Sequence, residues 1–112
     1  MEERKKPAVI KTENKEYTLE FSRRTVVNAQ RSGFDALQLV DPHTMLYAVD
    51  DLFFYSFAMH HPEVTREDAD KIIEEIGGIS SALVERLSDL YAYAVESLYT
   101  EEPKNAKATV IL

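Results

Sequence analysis

The segment between Asp41 and Pro62 constrains the fold more than any other part of the chain. It reads DPHTMLYAVDDLFFYSFAMHHP and is apolar on nearly every side of a helix. Asp41 is a favourable N-cap, with Thr44 as an alternative start. Pro62 ends the helix, because a residue that precedes a proline avoids helical geometry. A helix that is apolar almost all round is either deeply buried or contacts two partners. We therefore predict a long central helix.

A β-hairpin is predicted before this helix. In the sequence AVIKTENKEYTLEF, residues Tyr17, Leu19 and Phe21 alternate with Thr18 and Glu20. A period of two is typical of a half-buried strand, so the first three side chains should face the core and the other two should face solvent. The preceding apolar residues and the turn sequence ENK supply the other half of the hairpin.

Three further helices are predicted from the residues at their ends. Ser22 can cap the short helix RRTVVNAQRSG, which a left-handed Gly33 would end. Thr65 and Asp68 resemble a capping box before ADKIIEEIGG. The last helix should run from Ser80 or its neighbour to about residue 99. The segment FDALQLV, residues 34–40, is interpreted as a short helical turn or an ordered loop.

These elements predict a mostly helical α+β fold, in which an N-terminal β-hairpin precedes about four helices in a small antiparallel bundle. The links between the last three helices are short, which favours antiparallel neighbours. A chain of 112 residues suggests a single domain. We place that domain at residues 8–100, with a flexible lead-in at residues 1–7 and a disordered tail at residues 101–112.

Charge and composition exclude several classes of function. Residues 1–34 hold eight Lys and Arg against five Asp and Glu, whereas residues 35–112 hold five against fifteen. Because an acidic body repels phosphate, we do not expect nucleic-acid binding. No segment is long and apolar enough to span a bilayer, so no membrane association is expected. The lack of cysteine excludes disulfides and fits a reducing cytoplasm.

The adjacent residues His60 and His61 suggest a metal or catalytic site, but their spacing does not favour one. Neighbours on a helix point about 100° apart, so the two imidazoles cannot share one ion. We expect them instead to meet the unpaired carbonyls at the helix end. The chain also has no glycine-rich phosphate loop and no nucleophile elbow. We predict no enzymatic activity, no catalytic residues, no metal site and no cofactor. A metal-dependent enzyme built on His43 and this pair is the alternative.

Six tyrosines and five phenylalanines are the remaining unusual feature. A small domain can use such side chains to fill its core. Those that fall off the core stripes of their helices are candidates for an interaction surface, since tyrosine and methionine are favoured there. On this basis we predict a partner-binding set of Tyr47, Phe54, Tyr55, Met59, Tyr93 and Tyr99.

The order of these motifs resembles a known family. The opening KEYTLEFSRR, the pair Gly33-Phe34, the segment DDLFFYSFAMHHP and the final LSDLYAYAVESL follow one another in the chain. Together they resemble the small tail assembly chaperones of long-tailed phages and prophages, particularly those of Gram-positive hosts. The resemblance covers roughly residues 15–98.

The resemblance implies a non-enzymatic protein of the host bacterial cytoplasm. Such a chaperone binds the tape measure protein and keeps it soluble until the tail tube polymerises. Its expected partners are the tape measure protein and the tail tube protein, and self-association into a homo-oligomer is expected. The alternative is a structural or adaptor protein that stays in the virion, comparable to a head–tail connector.

Overall fold

A β-hairpin and a set of helices make up residues 6–112, the part of the chain that the computed structural model describes. The predicted α+β fold, a hairpin followed by four helices, is confirmed. The lead-in predicted at residues 1–7 lies mostly outside the described residues. The elements are β1 (Ala8–Lys11), β2 (Glu16–Leu19), α1 (Arg23–Arg31), a 3-10 helix (Ala36–Val40), α2 (Met45–Tyr55), α3 (Arg66–Ile76) and α4 (Ser81–Leu98).

The hairpin is antiparallel and presents one face to the core. Its register pairs Ala8 with Leu19 and aligns the next inward residue of β1, Ile10, with Tyr17. The predicted alternation is wrong for Glu20, which is only 4% exposed although it follows a residue of the inner face. Its burial arises from the turn after α2, which covers this side of the chain just beyond β2.

The predicted helix caps are present at α1 and α3. The Ser22 hydroxyl accepts the N–H of Thr25 at 3.1 Å, and the Thr25 hydroxyl accepts the N–H of Ser22 at 2.8 Å. At α3, Thr65 and Asp68 form the same reciprocal pair, with both bonds at 3.0 Å. Gly77 ends α3 in the left-handed conformation, at φ 78°. Local sequence therefore sets these helix ends.

The central helix is shorter than predicted. It begins at Met45, after Thr44, and ends at Tyr55 instead of continuing to Pro62. The Ser56 hydroxyl donates to the carbonyl of Phe53 at 2.5 Å, and the next N–H groups bond three residues back in tightened turns. The carbonyl of Ser56 accepts the N–H of Glu20 at 3.0 Å. A tertiary contact with the hairpin, and not the proline, therefore ends the helix.

The core lies where α4 packs against α1, α2 and β1. Phe53 is fully buried and meets Phe57 edge-on, with ring centroids 5.1 Å apart. Tyr91 of α4 makes similar edge contacts with Phe21 at 5.3 Å and with Phe34 at 5.1 Å. Beyond α4, residues 101–112 are all exposed and form no helix or strand. The predicted disorder of this tail stays a prediction.

The capping box of α1 yields a stability prediction. Replacing Ser22 by Ala removes the acceptor for the Thr25 N–H and should lower the free energy of unfolding by about 1 kcal/mol. The Ser22→Asp variant keeps an acceptor and should stay close to wild type. Urea denaturation followed by circular dichroism measures both. Equal losses in the two variants would contradict a role for the cap.

The capping box of α3 yields a prediction about pH. Hydrogen bonds from the Thr65 backbone and side chain lower the pKa of Asp68. The ionised carboxylate therefore stabilises the fold above its ordinary pKa of about 3.9, and this contribution is lost as pH falls through the lower folded-state pKa. The advantage of the wild type over Asp68→Asn should disappear in acid. Thermal melts of both proteins across this range test it, and a constant difference would contradict it.

Candidate interaction surface

The two adjacent histidines hold the turn after α2 against the hairpin. His61 Nε2 accepts the N–H of Thr18 at 2.9 Å, and His60 Nε2 is hydrogen-bonded to Glu20 Oε1 at 2.8 Å. Since an accepting Nε2 carries no proton, neutral His61 has its proton on Nδ1. The prediction that both imidazoles meet the carbonyls of their own helix is therefore wrong, because they contact the hairpin and the residue that follows it.

This junction also has an aromatic part. Tyr17 meets His61 edge-on at 5.2 Å between ring centroids, and it meets Phe57 in the same way at 5.6 Å. His43 lies before the start of α2, whereas His60 and His61 follow its end. An eleven-residue helix is about 16 Å long, so the three histidines do not converge. Within residues 6–112 no group of three potential ligands is placed to hold a metal ion.

Two of the predicted partner-binding residues, Phe54 and Tyr55, are half-buried beneath Arg66. The guanidinium carbon lies 4.3 Å from the centre of the Phe54 ring and 5.3 Å from that of Tyr55. Arg66 also pairs with Asp51 at 2.8 Å and with Asp50 at 3.1 Å. Burial opposes its charge, but the hydrogen bond and charge of Asp51 outweigh that effect and raise the pKa of Arg66. These contacts occupy both aromatic side chains within the fold.

The other four predicted residues lie in separate places. Tyr47 is on the exposed first half of α2, and Met59 is exposed in the turn after that helix. Tyr93 is half-buried in a groove that Arg23 and the segment after α4 also line. Tyr99 is exposed just beyond α4. The structure does not gather the six predicted residues into one surface.

Five exposed apolar side chains instead cluster along the chain between residues 37 and 47. They belong to the 3-10 helix and the first turn of α2, two elements that pack against each other. Residues three apart in a 3-10 helix lie above one another, so Leu37 and Val40 share a face. We call this set the 37–47 surface; its members and their exposed fractions are Leu37 (77%), Val40 (84%), Met45 (42%), Leu46 (79%) and Tyr47 (50%).

Hydrogen bonds fix the two helices of the 37–47 surface to each other. Asp35 caps the 3-10 helix by accepting the N–H of Leu37 at 2.9 Å. The Thr44 hydroxyl donates to the carbonyl of Gln38 at 2.7 Å, and the N–H of Met45 donates to the carbonyl of Asp41 at 2.8 Å. The exposed side chains are therefore presented by an ordered frame.

The charged residues in the sequence around the 37–47 surface are all acidic. Residues 32–65 contain no Lys or Arg but five Asp and Glu. Asp35 and Asp41 are exposed at the two ends of the 3-10 helix, and each uses Oδ1 to accept a backbone N–H. Burial raises the pKa of the Tyr91 hydroxyl, and the Asp35 carboxylate raises it further. Within residues 6–112 neither aspartate forms an ion pair.

Comparison with known proteins identifies a family. Residues 5–112 match a family described as a domain of unknown function, DUF5055. The chain belongs to the DUF5055 family. No curated protein and no solved structure matches it. Across residues 6–112 of this DUF5055 domain, no helix is both long enough and apolar enough to cross a membrane.

Sequence reasoning missed most of the functional candidates of the DUF5055 domain. Of the 37–47 surface the sequence pattern predicts only Tyr47 as a partner-binding residue, because the other four do not fall off the core stripe of a long helix. A detectable signal was the irregular spacing of apolar residues in FDALQLV, which no single buried helix face explains. No such signal marks the buried carboxylate of Glu20, because the regular alternation of the strand places this residue on the solvent-facing side.

The histidine junction yields a third prediction. His61→Ala leaves the N–H of Thr18 without its acceptor and should lower the free energy of unfolding by about 1 kcal/mol or more. His61→Gln offers a carbonyl acceptor at a similar reach and should recover most of the loss. Urea denaturation of the three proteins measures this. Equal destabilisation by Ala and Gln would assign the effect to packing on Tyr17 and contradict the hydrogen-bond role.

Proposed function

We propose that this DUF5055 domain is a non-enzymatic phage tail assembly chaperone. In this role it binds the tape measure protein in the host bacterial cytoplasm and keeps it soluble until the tail tube polymerises. The proposal combines the resemblance of residues 15–98 to such chaperones with the 37–47 surface. That surface is the observation that carries it, since five large apolar side chains are open to solvent on a hydrogen-bonded frame.

The composition of the 37–47 surface suits a helical partner. Amphipathic helices bind by laying apolar residues at positions i, i+3, i+4 and i+7 on an apolar receptor surface. The surface offers aliphatic contacts from Leu37, Val40 and Leu46. The flexible side chain of Met45 can adapt to a partner, and tyrosines such as Tyr47 are enriched at protein interfaces. Exposed apolar area of this kind also promotes aggregation, which a net charge of −7 opposes.

Self-association completes the proposed role. One such surface binds one short segment of a long partner, so the affinity of each contact is modest. Copies that associate with one another along the same partner gain avidity, because each later contact becomes intramolecular. The homo-oligomer and the tail tube protein therefore remain in the proposal as partners beside the tape measure protein.

Co-expression tests the proposal. A tape measure protein encoded beside this gene should move from the insoluble to the soluble fraction when the domain is present, and it should co-purify with the domain. The paired variant Leu37→Ser and Leu46→Ser should abolish most of this rescue while keeping the thermal stability of the domain, since both side chains are exposed. Equal insolubility of the tape measure protein with and without the domain would refute the proposal.

A matched variant on α4 serves as the control. Leu98→Ser with Tyr99→Ser removes similar exposed apolar area from the end of α4. This pair should leave the rescue intact. A loss of rescue in this variant would instead place the binding site near Tyr93 and Tyr99.

Mass spectrometry of purified virions separates the proposal from the adaptor alternative. A chaperone should be absent from virions, and an adaptor should be present.

A further inference from the structure

The acidic residues beside the 37–47 surface indicate the charge of its partner. We propose that its occupant is a basic amphipathic helix of another protein, whose Lys or Arg side chains pair with Asp35 and Asp41 while its apolar stripe packs on exposed side chains of the 3-10 helix and of the first turn of α2. This inference rests on the proposed function and specifies the partner segment that the surface selects.

Asp35 and Asp41 supply negative charge that no cation of the described residues compensates. Asp50 and Asp51 of α2 both pair with Arg66, with N–O distances of 3.1 and 2.8 Å, so one of their two negative charges is compensated. Asp35 and Asp41 are exposed, and no Lys or Arg lies between residues 32 and 65 to pair with them locally. Each carboxylate has one oxygen in a backbone hydrogen bond and a second oxygen free to accept from a partner. The 3-10 helix of this surface therefore has an exposed acidic group at each of its two ends.

The spacing of these two carboxylates indicates the spacing of the basic residues on the partner. Asp35 and Asp41 flank the five-residue 3-10 helix and are six positions apart. At a rise of about 2.0 Å per residue, their backbones are separated by about 12 Å. Residues seven or eight positions apart on an α-helix are separated by about 10.5 to 12 Å and lie on the same side. The complementary partner therefore has basic residues at i and i+7 or i+8, with apolar residues between them at i+3 and i+4.

A second copy of this chain is a weaker fit to the same surface. The exposed residues Arg24 and Arg31 of α1 are seven apart and could meet the two aspartates. Between them on that face α1 offers only half-buried Val27 and polar Asn28. One partly exposed valine offers little apolar area to this surface, so the composition favours a more apolar helix over α1 of a second copy.

Synthetic peptides test the inference directly. Three capped 18-residue helices would share one leucine stripe and differ in two flanking residues: Lys at i and i+7, Glu at i and i+7, or Lys at i and i+4. Fluorescence anisotropy with the full chain at low and high salt measures their affinities. The first peptide should bind at least tenfold more tightly than the second, and the gap should shrink with salt. The third should bind with intermediate affinity.

Charge-neutral variants test the two aspartates. Asn is as good a capping residue as Asp, so Asp35→Asn with Asp41→Asn keeps both backbone hydrogen bonds and removes only the charges. The first peptide should bind this variant about threefold to tenfold more weakly, as expected for two exposed ion pairs. The control Glu74→Gln with Glu75→Gln makes the same change in net charge on the exposed side of α3 and should leave the affinity unchanged.

The outcomes separate the inference from the proposed function. Equal binding of the Lys and Glu peptides, no binding of either, or equal effects of the Asn and Gln variants would overturn the inference. A loss of self-association in the Asn variant by analytical ultracentrifugation would also overturn it, in favour of a second copy. If rescue of the tape measure protein persists in any of these cases, the proposed function stands. If rescue fails while the Lys peptide binds selectively, only the proposed function is refuted.

Discussion

The attachment of the turn after α2 to the hairpin is the contact on which the rest of the structure depends. A two-stranded hairpin is marginal on its own, so it needs a second element to be stable. Here the carbonyl of Ser56 accepts the N–H of Glu20, and His61 accepts that of Thr18. Both are backbone N–H groups on the side of the chain away from β1. The same junction buries Leu19 and Phe57, and it thereby joins the hairpin to the helical core.

The sequence predicts those parts of the fold whose causes are local. Ser22 and Thr65 cap their helices through bonds to residues three positions away, and Gly77 ends α3 with a conformation that its own backbone permits. The end of α2 has a different cause, because the carbonyl of Ser56 bonds to a residue 36 positions earlier. No local pattern contains such a contact, and Pro62 therefore looked like the stop signal.

The candidate site was predictable only in part for a related reason. The spacing of apolar residues along α2 shows which side chains lie off its core-facing stripe. It does not show which other parts of the fold cover the remaining faces of the helix. Around Phe54 and Tyr55 the cover is Arg66, which α3 brings across 11 or 12 positions of sequence. Tyr47, about two turns nearer the N-terminus, has no such cover and is half exposed. The apolar character of α2 thus serves the core in its second half and a surface in its first.

The acidic frame of the 37–47 surface gives a physical reason why this exposed area need not cause the chain to pair with itself. An isologous contact through the surface would bring Asp35 and Asp41 of two copies together, and like charges at an interface are costly. A basic helix would avoid this repulsion, because each of its Lys or Arg side chains could form an ion pair with an aspartate that has none within residues 6–112. The same charges therefore disfavour a symmetric dimer through this surface and are complementary to the basic partner that we propose.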